Sequence, residues 1–353
     1  MGTAAPLRAR WTLGALVSSF PLPAAFPQGP PELRLRPFEA RVAGEFTRIV
    51  GLRELADGRV LVADEGENRL LVADFRGGSP QAIARPGAGP NEFQRVSYLL
   101  PLLADSTLMP DAGSQGRWLL IADAAVVATV FPQGNPFGAR YALPLGADRG
   151  GRVFAALLPT SASTGPRAVD SLVLVAAHRV TRRIDTLTIL RSGHPAAARA
   201  FGEVVFIRNT HENRQMARVA RVERDEAMLF LDGWVAVVRR ATGHVEWWTP
   251  DGRLQHPGDK PATTPGSRRS KPEYLDPLSP SLLAAPDGRV IVLRTSPDTL
   301  APISYDVIDR TGRTTAVLRL GRAERLVGLG RHWAYSSVLD EDGLQHLRRH
   351  PWP

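Results

Sequence analysis

Val60-Leu61-Val62-Ala63-Asp64-Glu65-Gly66-Glu67-Asn68-Arg69-Leu70-Leu71-Val72-Ala73-Asp74-Phe75-Arg76-Gly77 holds two apolar, β-prone runs separated by a polar turn and closed by a glycine turn. Each run has the length of a strand rather than a helix, and the intervening Glu-Gly-Glu-Asn has turn composition. The closing glycine has counterparts at Gly134, Gly193, Gly252 and Gly312, so that the five lie 57, 59, 59 and 60 residues apart. A strand-forming run precedes each, as in Val126-Val127-Ala128-Thr129-Val130-Phe131, Leu187-Thr188-Ile189-Leu190, Val245-Glu246-Trp247-Trp248 and Tyr305-Asp306-Val307-Ile308-Asp309. A fixed period of this length is one supersecondary unit copied around an axis.

A second marker repeats six times, a tight turn followed by an extended apolar segment. It occurs at Asp57-Gly58-Arg59-Val60, Asp105-Ser106-Thr107-Leu108, Gly150-Gly151-Arg152-Val153, Asp232-Gly233-Trp234-Val235, Asp287-Gly288-Arg289-Val290 and Gly330-Arg331-His332-Trp333. Asp-Gly and Gly-Gly suit turns that need φ > 0. Six openings imply an all-β, six-bladed β-propeller of four-stranded antiparallel blades, with the strand after each turn expected nearest the axis. A sixth closing glycine on the same period falls past the last residue, so the N-terminus is expected to supply the missing outer strand. Glu32-Leu33-Arg34-Leu35 and Glu39-Ala40-Arg41-Val42 alternate as such an edge strand should. Residues 31–353 then form one domain. Two segments break the pattern: 194–231, which can add a strand or short helix at 201–208 and 216–224, and the Pro, Gly, Ser and Thr-rich loop 257–272.

The chain has 353 residues, is 43% hydrophobic and holds 30 Pro and 32 Gly, a composition suited to short strands and many turns. Cysteine is absent, which excludes disulfides, thiolate metal sites and a cysteine nucleophile. The net charge of +9 rests almost wholly on arginine, Lys260 and Lys271 being the only lysines. The arginines are scattered through every unit without a basic stripe interleaved with aromatics, so nucleic acid is not an expected partner. Residues 1–30 have the outline of a secretory signal, with Arg8 and Arg10, an apolar run over 11–20 and a Pro-rich exit with Leu22-Pro23-Ala24 or Ala24-Ala25-Phe26 for cleavage. Periplasmic or secreted localisation is the resulting expectation. The apolar run is too short to span a bilayer, so no transmembrane anchor is expected.

Leu61-Val62-Ala63-Asp64-Glu65-Gly66-Glu67-Asn68-Arg69-Leu70 resembles the NHL repeat, whose strands read hydrophobic-x-x-Asp, a short turn, Asn, Arg and a hydrophobic residue. Gly87-Ala88-Gly89-Pro90-Asn91-Glu92-Phe93 is similar to the loop between blades of bacterial six-bladed propellers. Ile308-Asp309-Arg310-Thr311-Gly312-Arg313, followed by Asp340-Glu341-Asp342-Gly343, resembles the last blades of uncharacterised exported propellers of that group. The likeness covers 56–95 and 285–350. It implies a six-bladed propeller with an axial channel, and no single activity, because relatives include binding scaffolds, lactonases and lyases. Asp64, Asn68 and Arg69 match the repeat motif, which gives them a structural role in holding turn amides.

Motif-local chemistry is missing. There is no His-Glu-x-x-His, and His211-Glu212-Asn213 is an isolated pair; no Gly-x-Ser-x-Gly elbow, Walker loop or dinucleotide fingerprint occurs. The eight histidines (178, 194, 211, 244, 256, 332, 346 and 350) show no ligand spacing. Trp247 and Trp248 fall on opposite strand faces, so at least one packs between blades. A propeller site, however, takes one or two residues from each blade and leaves no linear signature. The expected function is a monomeric, non-catalytic exported scaffold, without cofactor, that binds a protein, peptide or small ligand over one face. The first alternative is a calcium-dependent lactonase- or esterase-like hydrolase, or a lyase, with its site in the axial channel and Asp64, Glu92, Asp123 and Asp232 as candidate ligands. The second is a polyanion-binding module using the arginines.

Overall fold

The computed structural model describes residues 2, 29–114, 117–130, 142–157, 171–178, 180–191, 204–209, 214–220, 225–240, 242–256, 274–275, 281–294, 302–321 and 323–352. Every regular element among them is a strand. Two short strands come first, β1 (Glu32–Arg34) and β2 (Ala40–Arg41). Blade one is β3 (Ile49–Glu54), β4 (Val60–Asp64), β5 (Arg69–Ala73) and β6 (Gln81–Ala84). Blade two is β7 (Leu100–Pro101), β8 (Thr107–Pro110), β9 (Trp118–Ala122) and β10 (Ala125–Val130), and blade three is β11 (Ala142–Ala147), β12 (Arg152–Leu157), β13 (Ser171–His178) and β14 (Ile184–Arg191). A hairpin of β15 (Val204–Asn209) and β16 (Arg214–Ala220) follows, in a sheet separate from the blades. Blade four is β17 (Glu226–Leu229), β18 (Val235–Arg239), β19 (His244–Trp248) and β20 (Leu254–His256); the short β21 (Tyr274–Leu275) follows and pairs back onto β16. Blade five is β22 (Leu282–Ala284), β23 (Val290–Leu293), β24 (Ser304–Ile308) and β25 (Thr314–Arg319), and blade six is β26 (Glu324–Leu329), β27 (Trp333–Leu339) and β28 (Gln345–Pro351).

Six meandering antiparallel blades therefore make the propeller, and the N-terminus closes it. β2 runs antiparallel to β28 as the fourth strand of blade six, with Ala40 opposite Arg349 and Arg41 opposite Arg348. β1 adds a parallel fifth strand to blade five, pairing Glu32, Leu33 and Arg34 with Val317, Leu318 and Arg319. Both N-terminal segments singled out in the sequence are used, on two different blades. The segment 35–39 between them is a strap that crosses from blade five to blade six. The irregular stretch 194–231 contributes three strands and no described helix: β17 opens blade four, while β15 and β16 join β21 in a separate three-stranded sheet, β15-β16-β21. The loop 257–272 lies outside the described residues.

One expectation needs correcting. The strand after each of the six opening turns is the second of its blade, and it is the first strands, β3, β7, β11, β17, β22 and β26, that touch their counterparts across the axis side. The second strands are instead sandwiched between blades. Val60 and Val62 of β4 pack toward blade six with Val327 and Tyr335, whereas Leu61 and Ala63 pack toward blade two with Met109, Leu119 and Ile121. β18 divides likewise, Val235 and Val237 facing blade three, Ala236 and Val238 facing blade five. A strand buried on both faces needs no polar alternation, which is why these runs are continuously apolar. The core is thus a series of inter-blade layers, each large side chain contributing about 1.5–3 kcal/mol on burial.

The opening turns of blades one, three, four and five share one geometry. In blade one Leu55 N donates to Arg59 O at 2.8 Å and Gly58 N to Leu55 O at 3.0 Å; Phe230/Trp234/Gly233 and Ala285/Arg289/Gly288 repeat it in blades four and five. The glycines stand at φ of 85°, 86° and 86°, the left-handed position that such a bulged turn requires. Among the closing glycines, Gly77, Gly252 and Gly312 do join third and fourth strands. Gly134 and Gly193 lie outside the described residues, beyond β10 and β14, which are already the fourth strands of their blades. There the closing turns carry non-glycine residues at positive φ, Asp123 at 48° and Ala124 at 58° in blade two and Arg182 at 56° in blade three.

Candidate functional site

The acids nearest the repeat turns are consumed by the fold. Asp64 ends β4 with no exposed surface, and its oxygens accept Thr47 N at 3.2 Å, Arg48 N at 2.8 Å and Arg69 Nη2 at 2.8 Å. It thereby fixes the chain entering β3. Asp111 does the same one blade on, accepting Gln94 N and Arg95 N at 2.9 Å each and Gly113 N at 3.1 Å. Asn68 links the two blades: its Nδ2 donates to Gln94 O and its Oδ1 accepts Val96 N. In blade four the direction is reversed, with Asp225 just before β17 accepting Arg240 N and Arg191 N and pairing with Arg239.

The other candidate ligands belong to other loops and turns than Asp64. Glu92 accepts Gly89 N at 2.7 Å and pairs with Arg85 at 2.6 Å, and the amide first and the guanidinium second hold its carboxyl below the usual range. Asp123 lies in the closing turn of blade two. Asp232 lies in the opening turn of blade four and pairs at 2.5 Å with Arg310, which stacks over Trp234 at 4.8 Å. None of the four belongs to a group of three potential ligands within coordination reach of one another among the described residues; Glu45, Asp340 and His346 do, their donor atoms lying within 4.8 Å. That group offers one nitrogen, and its Asp340 already accepts Leu344 N, Asp342 N and His346 Nε2 at 2.9, 3.0 and 2.8 Å. It fits calcium poorly, since calcium takes 6–8 oxygens. The turn amide of Leu344 and then His346 keep Asp340 ionised below its ordinary range.

The chemistry-bearing group that the fold does assemble lies beneath the strap, between blades five and six. A cleft of about 590 Å³ is lined by Arg34, Arg36, Phe38, Arg319, Glu324, Arg348 and His350 among others. At its floor His350, buried at 4% exposure, joins Ser336, which has no exposed surface, and Glu324. His350 Nδ1 lies 2.8 Å from Arg36 O, His350 Nε2 2.8 Å from Ser336 Oγ, and Ser336 Oγ 2.7 Å from Glu324 Oε1. A carbonyl only accepts, so Nδ1 carries a proton directed at the strap. Ser336 Oγ thus bridges His350 Nε2 and Glu324 Oε1. The imidazole beside it, and after that the Ser336 hydroxyl, outweigh partial burial and lower the Glu324 pKa.

This Ser-His-Glu set looks like a nucleophile with its base, but its geometry is that of a latch. Both imidazole nitrogens are engaged, and the serine oxygen is inaccessible, so neither can reach a ligand in the cleft without leaving its partners. What the set does is tie strap to blade. Because the folded pKa of Glu324 is depressed, its stabilisation is present above the unfolded value near 4.5 and is lost as pH falls through the lower folded value. Glu324→Gln is expected to remove about 1–2 kcal/mol at pH 7 and to flatten the acid limb of a urea-midpoint profile between pH 7 and 3. An unchanged acid limb would deny the latch.

The arginines above the latch are unevenly paired. Arg34 and Arg319 share Glu32, at 2.8 and 3.2 Å. Arg36 and Arg348 have no hydrogen-bonded or ion-paired side-chain partner among the described residues, and Arg348 stacks over Phe38 at 4.6 Å. Sequence reading missed this site because no local motif encodes it: it joins the strap to the last two blades. His350 was one of eight scattered histidines, and the four arginines were part of a chain-wide excess.

A scan against protein-family models matches none, and no curated protein is similar in sequence. Among solved structures, the calcium-binding protein regucalcin from Agrobacterium tumefaciens str. C58 aligns at 12% identity and TM-score 0.45, over 92% of this chain and 97% of that one. Virginiamycin B lyase from Staphylococcus aureus aligns at 10% and 0.39 over 88% and 87%, and the WD40 β-propeller domain of Doa1 at 9% and 0.42 over 90% and 97%. At this distance the similarity is one of architecture alone and carries no activity.

Proposed function

We propose that the protein is a binding propeller that takes its ligand in the strap cleft between blades five and six. The observation that carries this reading is the cleft itself: it exposes binding groups, Arg36, Arg348 and Phe38, while its titratable pair is tied up in the latch. A hydrolase or lyase working in the axial channel lacks comparable support, because each acid the sequence nominated is held by turn amides, arginine or a closing turn. Export to the periplasm or outside remains part of the proposal, resting on the signal-like residues 1–30. No helix among the described residues is long and apolar enough to cross a membrane.

Gly321 provides the test. It lines the cleft, and a Cβ built there would meet nothing nearer than 3.8 Å, so Gly321→Trp fills the space without backbone strain. Ligand-observed NMR with a fragment library balanced among acids, bases and neutral compounds is expected to give hits on the wild type that disappear in Gly321→Trp. Hits that persist in the variant would place binding elsewhere.

A further inference from the structure

Resting on that reading of the cleft, we propose that its ligand is an oxyanion with an apolar body, a small organic phosphate or carboxylate. Four arginines line the cleft against two glutamates, Glu32 and Glu324. Glu32 is divided between Arg34 and Arg319, and Glu324 is turned to Ser336 and His350. Arg36 is therefore left without a carboxylate partner among the described residues, and Arg348 has only the field of Glu324, whose carboxylate the latch already engages. Arg36 is exposed on the strap. Arg348, half-buried, has its Nε buried without a partner and its plane held over the Phe38 ring. A guanidinium fixed by stacking keeps its donors free and loses little freedom on binding, which suits it to grip a carboxylate or phosphate through paired hydrogen bonds.

The apolar half of the ligand follows from the remaining walls. Phe38 is 45% exposed, and Leu35, Pro37, Pro302 and Leu320 complete the lining. Large exposed aromatics beside unpaired arginines suit a ligand that presents a flat or aliphatic body next to its anionic head. Neither a bare ion nor a neutral apolar molecule would use both halves of the site.

Isothermal titration with phenyl phosphate, benzoate, inorganic phosphate and benzyl alcohol separates the possibilities, the first two distinguishing a phosphate from a carboxylate source. Phenyl phosphate or benzoate is expected to bind at least about tenfold more tightly than benzyl alcohol and than inorganic phosphate, and to weaken as salt rises. Arg36→Gln and Arg348→Gln should each weaken that binding by about tenfold or more. Arg36 is exposed, so its variant should fold even where loss of the Arg348 stack disturbs the strap. Glu32→Gln, which frees Arg34 and Arg319, should tighten binding a few-fold. Anions that bind no better than benzyl alcohol, or that bind both arginine variants as they bind the wild type, would overturn the inference. Neutral fragments that bind alone and vanish in Gly321→Trp would also overturn it, while leaving the cleft as the binding site.

Discussion

Replacing Asp64 with alanine is expected to lower the unfolding free energy by about 3–5 kcal/mol, read as a fall in the urea midpoint at unchanged slope. The side chain is fully buried, and its loss leaves the amides of Thr47 and Arg48 without acceptors where the chain enters blade one. Each orphaned donor costs about 1–3 kcal/mol. Arg69 adds less, since its side chain is 36% exposed and water screens the pair. Asp64→Asn keeps one acceptor but turns an NH₂ toward the amides, so an intermediate loss of about 1–2 kcal/mol is expected. The same measurement separates structure from metal binding. A structural Asp64 gives a wild-type midpoint that chelator leaves in place, whereas a calcium ligand would make that midpoint fall when chelator is added.

The second large effect is expected from the strap. A chain lacking residues through Arg34 loses β1 but keeps four strands in blade five, and should lose about 1–3 kcal/mol from the partly buried Leu33 and the β25 pairing. A chain lacking residues through Arg41 also loses β2, the bond from Glu39 N to Arg349 O, the His350 contact with Arg36 O and the Arg348 stack on Phe38. It leaves the Arg348–Pro351 half of β28 as a bare edge, while Val42 and Phe46 still bond to Leu347 and Gln345. Such an edge pairs with other chains. Light scattering after size exclusion should therefore show oligomers for the longer deletion and not for the shorter. Two deletions that behave alike would mean that β2 does not close the propeller.

Why some of this was legible and some was not follows from what each feature depends on. The six opening turns are local: Asp-Gly at positions 57–58, 232–233 and 287–288 meets a left-handed φ that few other residues tolerate, so composition exposes it. Closure by Glu39-Ala40-Arg41-Val42 could be read because alternation marks an edge strand and the period left one strand unfilled. The placement of the strands after the opening turns went wrong because a continuous apolar run, such as Val60 to Ala63, shows burial on both faces but not whether its neighbours are blades or an axis. The closing turns of blades two and three were misplaced because Asp123, Ala124 and Arg182 take conformations usually left to glycine, and the nearby Gly134 and Gly193 imitated the period. The cleft was illegible for a different reason. His350 and Arg36 are separated by almost the whole chain and become neighbours only when the ring closes, and the pairing of Glu32 with Arg319 has the same origin.

Hydrogen–deuterium exchange of the full chain, with and without saturating phenyl phosphate, tests most directly where the ligand binds. Slowed exchange is expected to be confined to the strap at 32–38, the connection at 319–324 and the end of β28. Slowing along β3, β11, β17 and β22 instead, or none at all, would contradict a ligand site beneath the strap.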